Sequence, residues 1–167
     1  NAVGFALQQT LSGSDYDSDT VLLINNSILL EMAKICSRDY KVCINGLENS
    51  KIQYYLTNAD MFEIDNKLSE SQRLIGEVTN IAQHLMSEYW HRLNNNADAD
   101  SILDKINVLT VLSGVSIDLA KKLYDIDFSK ELRNNSITGD KPLFFRYISQ
   151  NKNIKNKIIK YNCPMDY

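Results

Sequence analysis

Hydrophobic and polar positions recur with two different spacings along the chain. Between residues 5 and 24, apolar and β-branched residues form two short runs separated by Gly, Ser and Asp, which predicts strands over 5–11 and 20–24. From residue 26 onward, apolar positions recur mainly at helical spacing. The pattern therefore predicts an α+β chain that is predominantly α-helical, with strands at its N-terminal end.

The clearest helical stripe runs from about residue 70 to residue 93. Ser69 followed by Gln72 matches a capping box, and the three asparagines at 94–96 end the pattern. We expect this helix to bury a broad apolar face that includes Leu74, Val78, Ile81, Leu85 and Tyr89.

Other helices are expected on both sides of this one. Asn26 or Ser27 could cap a helix that runs to Ser37, and Asn58 could cap a single helical turn. A helix over about 100–112 should end near Gly114 and be followed by another helical segment. Because the connection at 94–99 is short, we expect an antiparallel helical pair. Short extended pieces are expected over 41–44 and 51–56.

Composition and charge argue against membrane-spanning, secreted, disulfide-rich and zinc-binding proteins. The 167 residues suffice for one core, and the net charge of -3 disfavours nonspecific nucleic-acid binding by this chain alone. No apolar run reaches the length of about 18 residues that predicts a membrane span, and no signal peptide is recognisable. We therefore expect a cytoplasmic protein. Three cysteines without a Cys-x-x-Cys pair argue against a disulfide framework and against a structural zinc site.

The first residues suggest a piece of a larger protein. Asn1 and Ala2 fit a short vector-derived remainder, which is left out of fold reasoning. We expect strands around an aspartate run over 3–25 and a mainly helical remainder over 26–167, together forming one compact fragment.

The aspartate run at Asp15, Asp17 and Asp19 carries the strongest chemical signal. In extended chain, alternate side chains point to one side about 6 to 7 Å apart, so a modest bend would let three carboxylates converge. No Lys or Arg precedes Lys34, and a hard divalent ion such as Mg²⁺, or Mn²⁺, would offset the repulsion. A solvated acidic turn would use the same residue types, so the triplet alone leaves both interpretations open.

Spacing separates this run from three other aspartate motifs. An EF-hand would need Gly and Glu where Thr20 and Asn26 stand. A haloacid-dehalogenase motif would place its Thr two residues after the second Asp of an Asp-x-Asp pair that follows a strand, whereas Thr20 directly follows Asp19. A minimal template-independent nucleotidyltransferase separates Gly-Ser from its aspartates by roughly ten residues, whereas Gly13-Ser14 abuts Asp15, and it stays as an alternative.

The run resembles the Asp-x-Asp-Gly-Asp loop of the two-barrel (double-psi β-barrel) RNA polymerases. The resemblance is to the single-chain phage and bacterial type, which is related to eukaryotic RNA-silencing RNA-dependent RNA polymerases. Two downstream segments resemble the same enzymes in the same order: LIGEVTNI at 74–81 is similar to a Leu-Gly-x-Ile-x-Asn helix, and SIDLAK at 116–121 to an Asp-x-x-Lys segment. The resemblance covers roughly residues 5 to 125. Ser18 stands where the family has glycine, a departure that removes no carboxylate.

The resemblance implies template-directed RNA synthesis by Mg²⁺-dependent nucleotidyl transfer. Asp15, Asp17 and Asp19 would hold one ion that activates the attacking 3′-hydroxyl, and a second ion would arrive with the nucleoside triphosphate. The N-terminal strands would belong to a partial double-psi barrel. The implied partners are the rest of the polymerase with its second barrel, a nucleic-acid template and nucleoside triphosphates, with no membrane. The fragment alone would be inactive.

Supporting positions follow from the same resemblance. Lys121, Lys152 and Lys155 are candidate contacts to nucleic-acid phosphates, and Asn80 and Asp118 are candidate supporting residues. Each has a plainer explanation: Asn80 as an amide bonded to backbone, Asp118 with Lys121 as an intrahelical ion pair, and the basic run over 141–160 as the solvated face of an amphipathic helix.

The remaining candidates are a glycine and two histidines. Gly76 could permit close helix approach. His84 and His91 share a helix face, but two turns separate them by roughly 10 Å, too far for one metal ion. The alternative of another class is a non-catalytic helical interaction domain in which the acidic turn is incidental.

Overall fold

The computed structural model describes residues 11, 14, 18–41, 43, 45–119, 123–136, 140–148 and 158–161. They fall into two units, Asn1–Gly46 and Leu47–Tyr167. The chain is predominantly helical, which confirms the expected mainly helical class. The strands among the described residues form only a two-stranded sheet and not a barrel. None of the described helices combines the length and the apolar character needed to cross a membrane.

The described part of the N-terminal unit contains one helix, α1, over Ser27–Asp39. Its N-cap is Asn26, whose Oδ1 accepts hydrogen bonds from the backbone N–H groups of Ile28 (3.0 Å) and Leu29 (3.2 Å). This satisfies two of the amide groups that a helix start leaves without partners. The predicted helix is thereby confirmed, with its end two residues beyond Ser37.

The strand predicted over 20–24 is wrong. These residues are irregular, and Leu22 and Leu23 are 82% and 89% exposed. A strand is stabilised by pairing with a neighbour, and no described segment forms a ladder with this one. The strand predicted over 5–11 lies outside the described residues, apart from its last residue.

The C-terminal unit is built around a 37-residue helix, α2, over Asn58–Asn94. Its N-cap is Thr57, whose Oγ1 accepts from the N–H of Asp60 at 3.2 Å. The predicted start near residue 70 is wrong, because Ser69 lies inside the helix and its hydroxyl donates to the carbonyl of Asn66 at 2.8 Å. The predicted end is confirmed: Asn95 is the C-cap, and Asn96 adopts a positive φ of 54°.

Helix α3 covers Asp100–Asp118 and returns along α2. Residues 95–99 make the turn between them, and the two helices share the core, which supports the expected antiparallel pair. The predicted break at Gly114 is wrong. A glycine costs a helix about 1 kcal/mol relative to alanine, and the burial of Leu112 and Val115 on either side outweighs that cost. The buried cluster comprises Leu74, Val78, Leu85, Ile102, Ile106, Leu109, Leu112 and Leu132.

Short elements complete this unit. Helix α4 covers Phe128–Asn135, strand β1 covers Lys141–Pro142, a single turn α5 covers Phe145–Ile148, and strand β2 covers Ile158–Ile159. Strands β1 and β2 pair in parallel. The helix expected across the basic run over 141–160 is therefore wrong at both ends of the run, which are strands, and Pro142 has no N–H to donate to a helix. Between them, the described helical residues are those of the single turn α5.

Candidate functional site

Of the three aspartates, Asp19 belongs to the described residues, whereas Asp15 and Asp17 lie outside them. Asp19 is exposed, and Thr20 separates it from the exposed apolar residues 21–24. Within the part of the chain that is described, no three His, Cys, Asp or Glu side chains converge in a way that could hold a metal ion. Metal binding by the aspartate run stays a prediction.

Some of the other candidate residues from the sequence analysis also lie outside the described residues, and others lie within them. Lys121, Lys152 and Lys155 lie outside the described residues. Asn80 is half-buried on α2, where it lines a cavity. Asp118 is the last residue of α3 and is also half-buried.

Gly76 does not allow a close helix approach. It is exposed on α2, and a Cβ placed on it would have no atom within 4 Å among the described residues. That expectation is wrong, because the glycine lies on the solvent side of the helix and not on its packed stripe.

The structure instead assembles a polar site around the two histidines of α2. Nε2 of His84 lies 3.0 Å from the carbonyl oxygen of Asp140, and Nδ1 of His91 lies 3.0 Å from the carbonyl oxygen of Tyr161. The hydroxyl of Tyr161 donates to the Asp140 carbonyl at 2.6 Å. Since a carbonyl only accepts, these bonds assign the hydrogen to Nε2 of His84 and to Nδ1 of His91. The histidines thus bind the segments around β1 and β2 to α2.

Aromatic packing fixes the orientation of these rings. The Tyr161 ring meets His91 edge-on with centroids 5.3 Å apart, and the Phe145 ring meets His84 edge-on at 5.6 Å. His84 itself is only 3% exposed. Such edge contacts restrict ring rotation, so each imidazole keeps one nitrogen on its carbonyl partner.

Two adjoining cavities open beside His84, with volumes of about 320 and 530 Å³. Both are lined by His84, Arg133 and Ser136, so they lie side by side at these residues. Asn80 and Lys141 line the smaller cavity, and the larger one extends toward His91 and Tyr161. We call this space the histidine cleft. Its volume falls in the range of sites that bind small molecules.

The histidine cleft is lined by side chains of both charge signs, and two of them act on His84. Burial lowers the pKa of His84, and the nearby charge of Lys141 lowers it further, against the weaker opposing effects of the Asp140 carbonyl and the Glu88 carboxylate. His84 is therefore neutral at neutral pH, since its pKa lies below the ordinary value of 6.5. The cations of the cleft are its lysines and arginines.

Sequence reasoning found only part of this cleft. Lys141 belonged to the recognised basic run and Asn80 to the helix motif, but Arg133, Ser136 and Tyr161 carried no local signal. Tyr161 is 70 residues from His91 along the chain, and Asp140 is 56 residues from His84. Contacts at such separations depend on tertiary packing, which no local spacing encodes.

Comparison of the chain with known protein families, with characterised proteins and with solved structures finds no match to any of them. The functional proposals therefore rest on the residues of this chain and on their chemistry.

Proposed function

We propose that this chain is part of a cytoplasmic RNA polymerase that carries out template-directed, Mg²⁺-dependent nucleotidyl transfer. The observation that carries the proposal is the spacing of Asp15, Asp17 and Asp19, followed in the same order as in two-barrel polymerases by the segments at 74–81 and 116–121. Three carboxylates at alternate positions are a ligand set suited to a hard divalent cation. Mn²⁺ takes the same oxygen ligands.

The N-terminal unit supports the proposal through its exposed apolar residues. Residues 21–24 lie two to five positions after Asp19 and are apolar, yet each is at least half exposed. Helix α1 has no buried residue. Exposed apolar runs of this kind are typical of surfaces that pack against further protein, here the remainder of a barrel.

The C-terminal unit supports the proposal through Asn80. Neither a backbone group nor a side chain among the described residues hydrogen-bonds to its amide, so the plainer explanation of a backbone-bonded amide is not met. Half-buried amides without partners are suited to ligand contacts, because their donors and acceptor are already partly shielded from water. Asn80 lines the histidine cleft, a position open to ligand.

In the proposed mechanism, Asp15, Asp17 and Asp19 would hold one Mg²⁺, which would supply acid activation of the attacking 3′-hydroxyl. A second Mg²⁺, bound with the nucleoside triphosphate, would supply charge stabilisation of the leaving pyrophosphate. With metal activation of the hydroxyl, no protein base would be required. Basic residues of the second barrel, supplied by the rest of the polymerase, would hold the triphosphate.

The test is template-dependent incorporation of labelled nucleotides by the polymerase that contains this chain. We expect Asp17→Asn to abolish incorporation, because it removes one charge and one ligand oxygen from the metal site. Asp65→Asn is the matched control, since it makes the same change at an exposed position of α2. The 167-residue chain alone should be inactive. Incorporation that survives Asp17→Asn would contradict the proposal.

Two rival functions give different results in the same assay. A non-catalytic helical interaction domain is favoured by exposed apolar side chains on either side of the α2 N-terminus: Leu56, just before the helix, is 99% exposed, and Phe62, in its second turn, is 68% exposed. It predicts that Asp17→Asn changes neither divalent-ion binding nor polymerase activity. A minimal nucleotidyltransferase predicts incorporation that needs no template.

A further inference from the structure

The histidine cleft is large enough for a phosphate group and whatever that group is attached to. Its two cavities of about 320 and 530 Å³ meet at His84 and Arg133, between α2, α4 and the β1–β2 ladder. Hydrogen bonds from His84 and His91 to the Asp140 and Tyr161 carbonyls hold the segments around β1 and β2 against α2. Such cross-links lower the entropic cost of ordering a ligand site.

The charges of the cleft favour an anion. Two of its carboxylates are already paired: Glu88 accepts from Arg92 at 2.8 Å, and Glu77 pairs with Arg73 at 2.6 Å. Asp140 adds one exposed acidic residue at the rim of the larger cavity. Three further cations line the cleft: Lys105, Arg133 and Lys141. Counted this way, three positive charges face one negative charge.

Two of these cations are available to a ligand. Lys105 donates to the carbonyl of Ser136 at 3.2 Å and so has a partner. Arg133 and Lys141 form no ion pair with any described residue. The Lys141 ammonium lies over the Phe145 ring at 5.2 Å from its centroid, which holds it beside the smaller cavity. An arginine fork beside a lysine is a common phosphate-binding arrangement.

We propose that the histidine cleft binds a phosphate group through Arg133 and Lys141. The phosphate belongs either to a nucleoside triphosphate or to the backbone of a nucleic-acid strand, since both present the same oxygen acceptors. This inference goes beyond the polymerase proposal, because the cleft contains none of the three aspartates and its binding needs no metal. The two proposals can therefore fail separately.

The test is equilibrium binding to the full 167-residue chain at low ionic strength with a chelator present. The probes are inorganic pyrophosphate, ATP and a fluorescein-labelled single-stranded oligonucleotide. We expect Arg133→Gln to weaken binding about tenfold, the order of effect of a hydrogen bond to a charged group. Lys141→Gln should weaken it to a similar degree. Because Arg133 is exposed, its replacement leaves the fold intact, which far-UV circular dichroism would verify.

The matched control is Lys130→Gln. Lys130 lies on the same helix, α4, is exposed and lines neither cavity, so its replacement changes the net charge equally without touching the cleft. Equal loss in Arg133→Gln and Lys130→Gln, or no binding of any probe by the unmodified chain, would overturn the proposal. Tighter binding of the oligonucleotide with steep salt dependence would identify a nucleic-acid backbone as the source. Tighter binding of ATP than of pyrophosphate or the oligonucleotide would identify a nucleotide as the source.

Discussion

Helices α1 and α2 both carry apolar stripes, yet only α2 buries one. Ile28 on α1 is 69% exposed, and no residue of that helix is buried, whereas Leu85 on α2 is fully buried. The difference lies in the neighbours: α3 follows α2 after a five-residue turn and covers its stripe, while the described part of the N-terminal unit offers α1 no second helix. Periodicity predicts a helix, but burial depends on what the chain brings against it.

The largest expected effect comes from truncating the buried stripe. We expect Leu85→Ala to lower the free energy of unfolding of the C-terminal unit by about 2–5 kcal/mol, because it removes buried methyl groups and leaves a cavity. Ile28→Ala on α1 should change stability by less than about 0.5 kcal/mol, since its side chain is exposed. Trp90, the single tryptophan, lies on α2, so its fluorescence during urea denaturation measures the effect of Leu85→Ala on the C-terminal unit. Amide hydrogen exchange over Ser27–Asp39 measures the effect of Ile28→Ala on α1. Equal effects would refute the contrast between the helices.

The next effect tests whether local interactions alone maintain α1. Asn26→Ala removes a cap that accepts two backbone N–H groups, a loss of about 1 kcal/mol. A 13-residue helix without tertiary support is marginal, so we expect α1 to lose most of its helicity. Thr57→Ala should fray only the first turn of α2, whose core remains packed. Amide hydrogen exchange over Ser27–Asp39 measures the first effect, and unchanged protection there would contradict it.

Local signals predicted much of the helical framework. Asn26 was recognisable as a cap because an N-cap depends on one side chain and the next three residues, and the asparagines at 94–96 marked the end of α2 for a similar reason. The stripe from Leu74 to Leu85 supplied three of the eight buried residues of the core cluster, and the short turn at 95–99 implied an antiparallel partner. These features depend on interactions within short stretches of chain, so the spacing of residues in the sequence is enough to predict them.

The errors arise where a neighbour decides the outcome. Ser69 resembled a cap, but the helix begins upstream at Asn58, and the Ser69 hydroxyl donates to the Asn66 carbonyl within it. Gly114 resembled a helix break, but α3 continues through it because Leu112 and Val115 on either side are buried. Residues 20–24 resembled a strand, and a strand needs a partner that the described residues do not supply. The histidine cleft joins residues more than 50 positions apart, so no local pattern could reveal it.

A smaller effect tests whether Gly76, in the polymerase-like segment at 74–81, has a structural or a functional role in α2. Gly76→Ala should stabilise the C-terminal unit by about 0.5–1 kcal/mol, because the site is exposed, helical and open. Gly114→Ala is the control, since that glycine is also helical and exposed with no atom within 4 Å, but lies outside the motif. Urea denaturation measures both. Destabilisation by Gly76→Ala would show a packing role, while a stabilised variant with lower polymerase activity would show a functional one.

The smallest expected effect is a pH dependence confined to the C-terminal unit. Burial, reinforced by the charge of Lys141, holds the pKa of His84 below its ordinary value of 6.5, so the folded state favours the neutral ring. As pH falls past that value, the unfolded chain takes up a proton that the folded chain does not. The free energy of unfolding is therefore at its full value above about pH 6.5. It declines below that pH until the pKa of His84 in the folded state is reached. Urea denaturation followed by Trp90 fluorescence between about pH 7.5 and 5.5 measures this decline.

His84→Gln should remove the decline, because glutamine cannot titrate in this range but keeps an N–H group for the Asp140 carbonyl. His91→Gln, the same change two turns along α2, leaves His84 in place and should retain the decline. A decline that persists in His84→Gln would assign the pH dependence to another group. Helix α1 contains no histidine, so its hydrogen-exchange protection should stay constant across the same range, and a parallel loss there would undo the contrast between the two units.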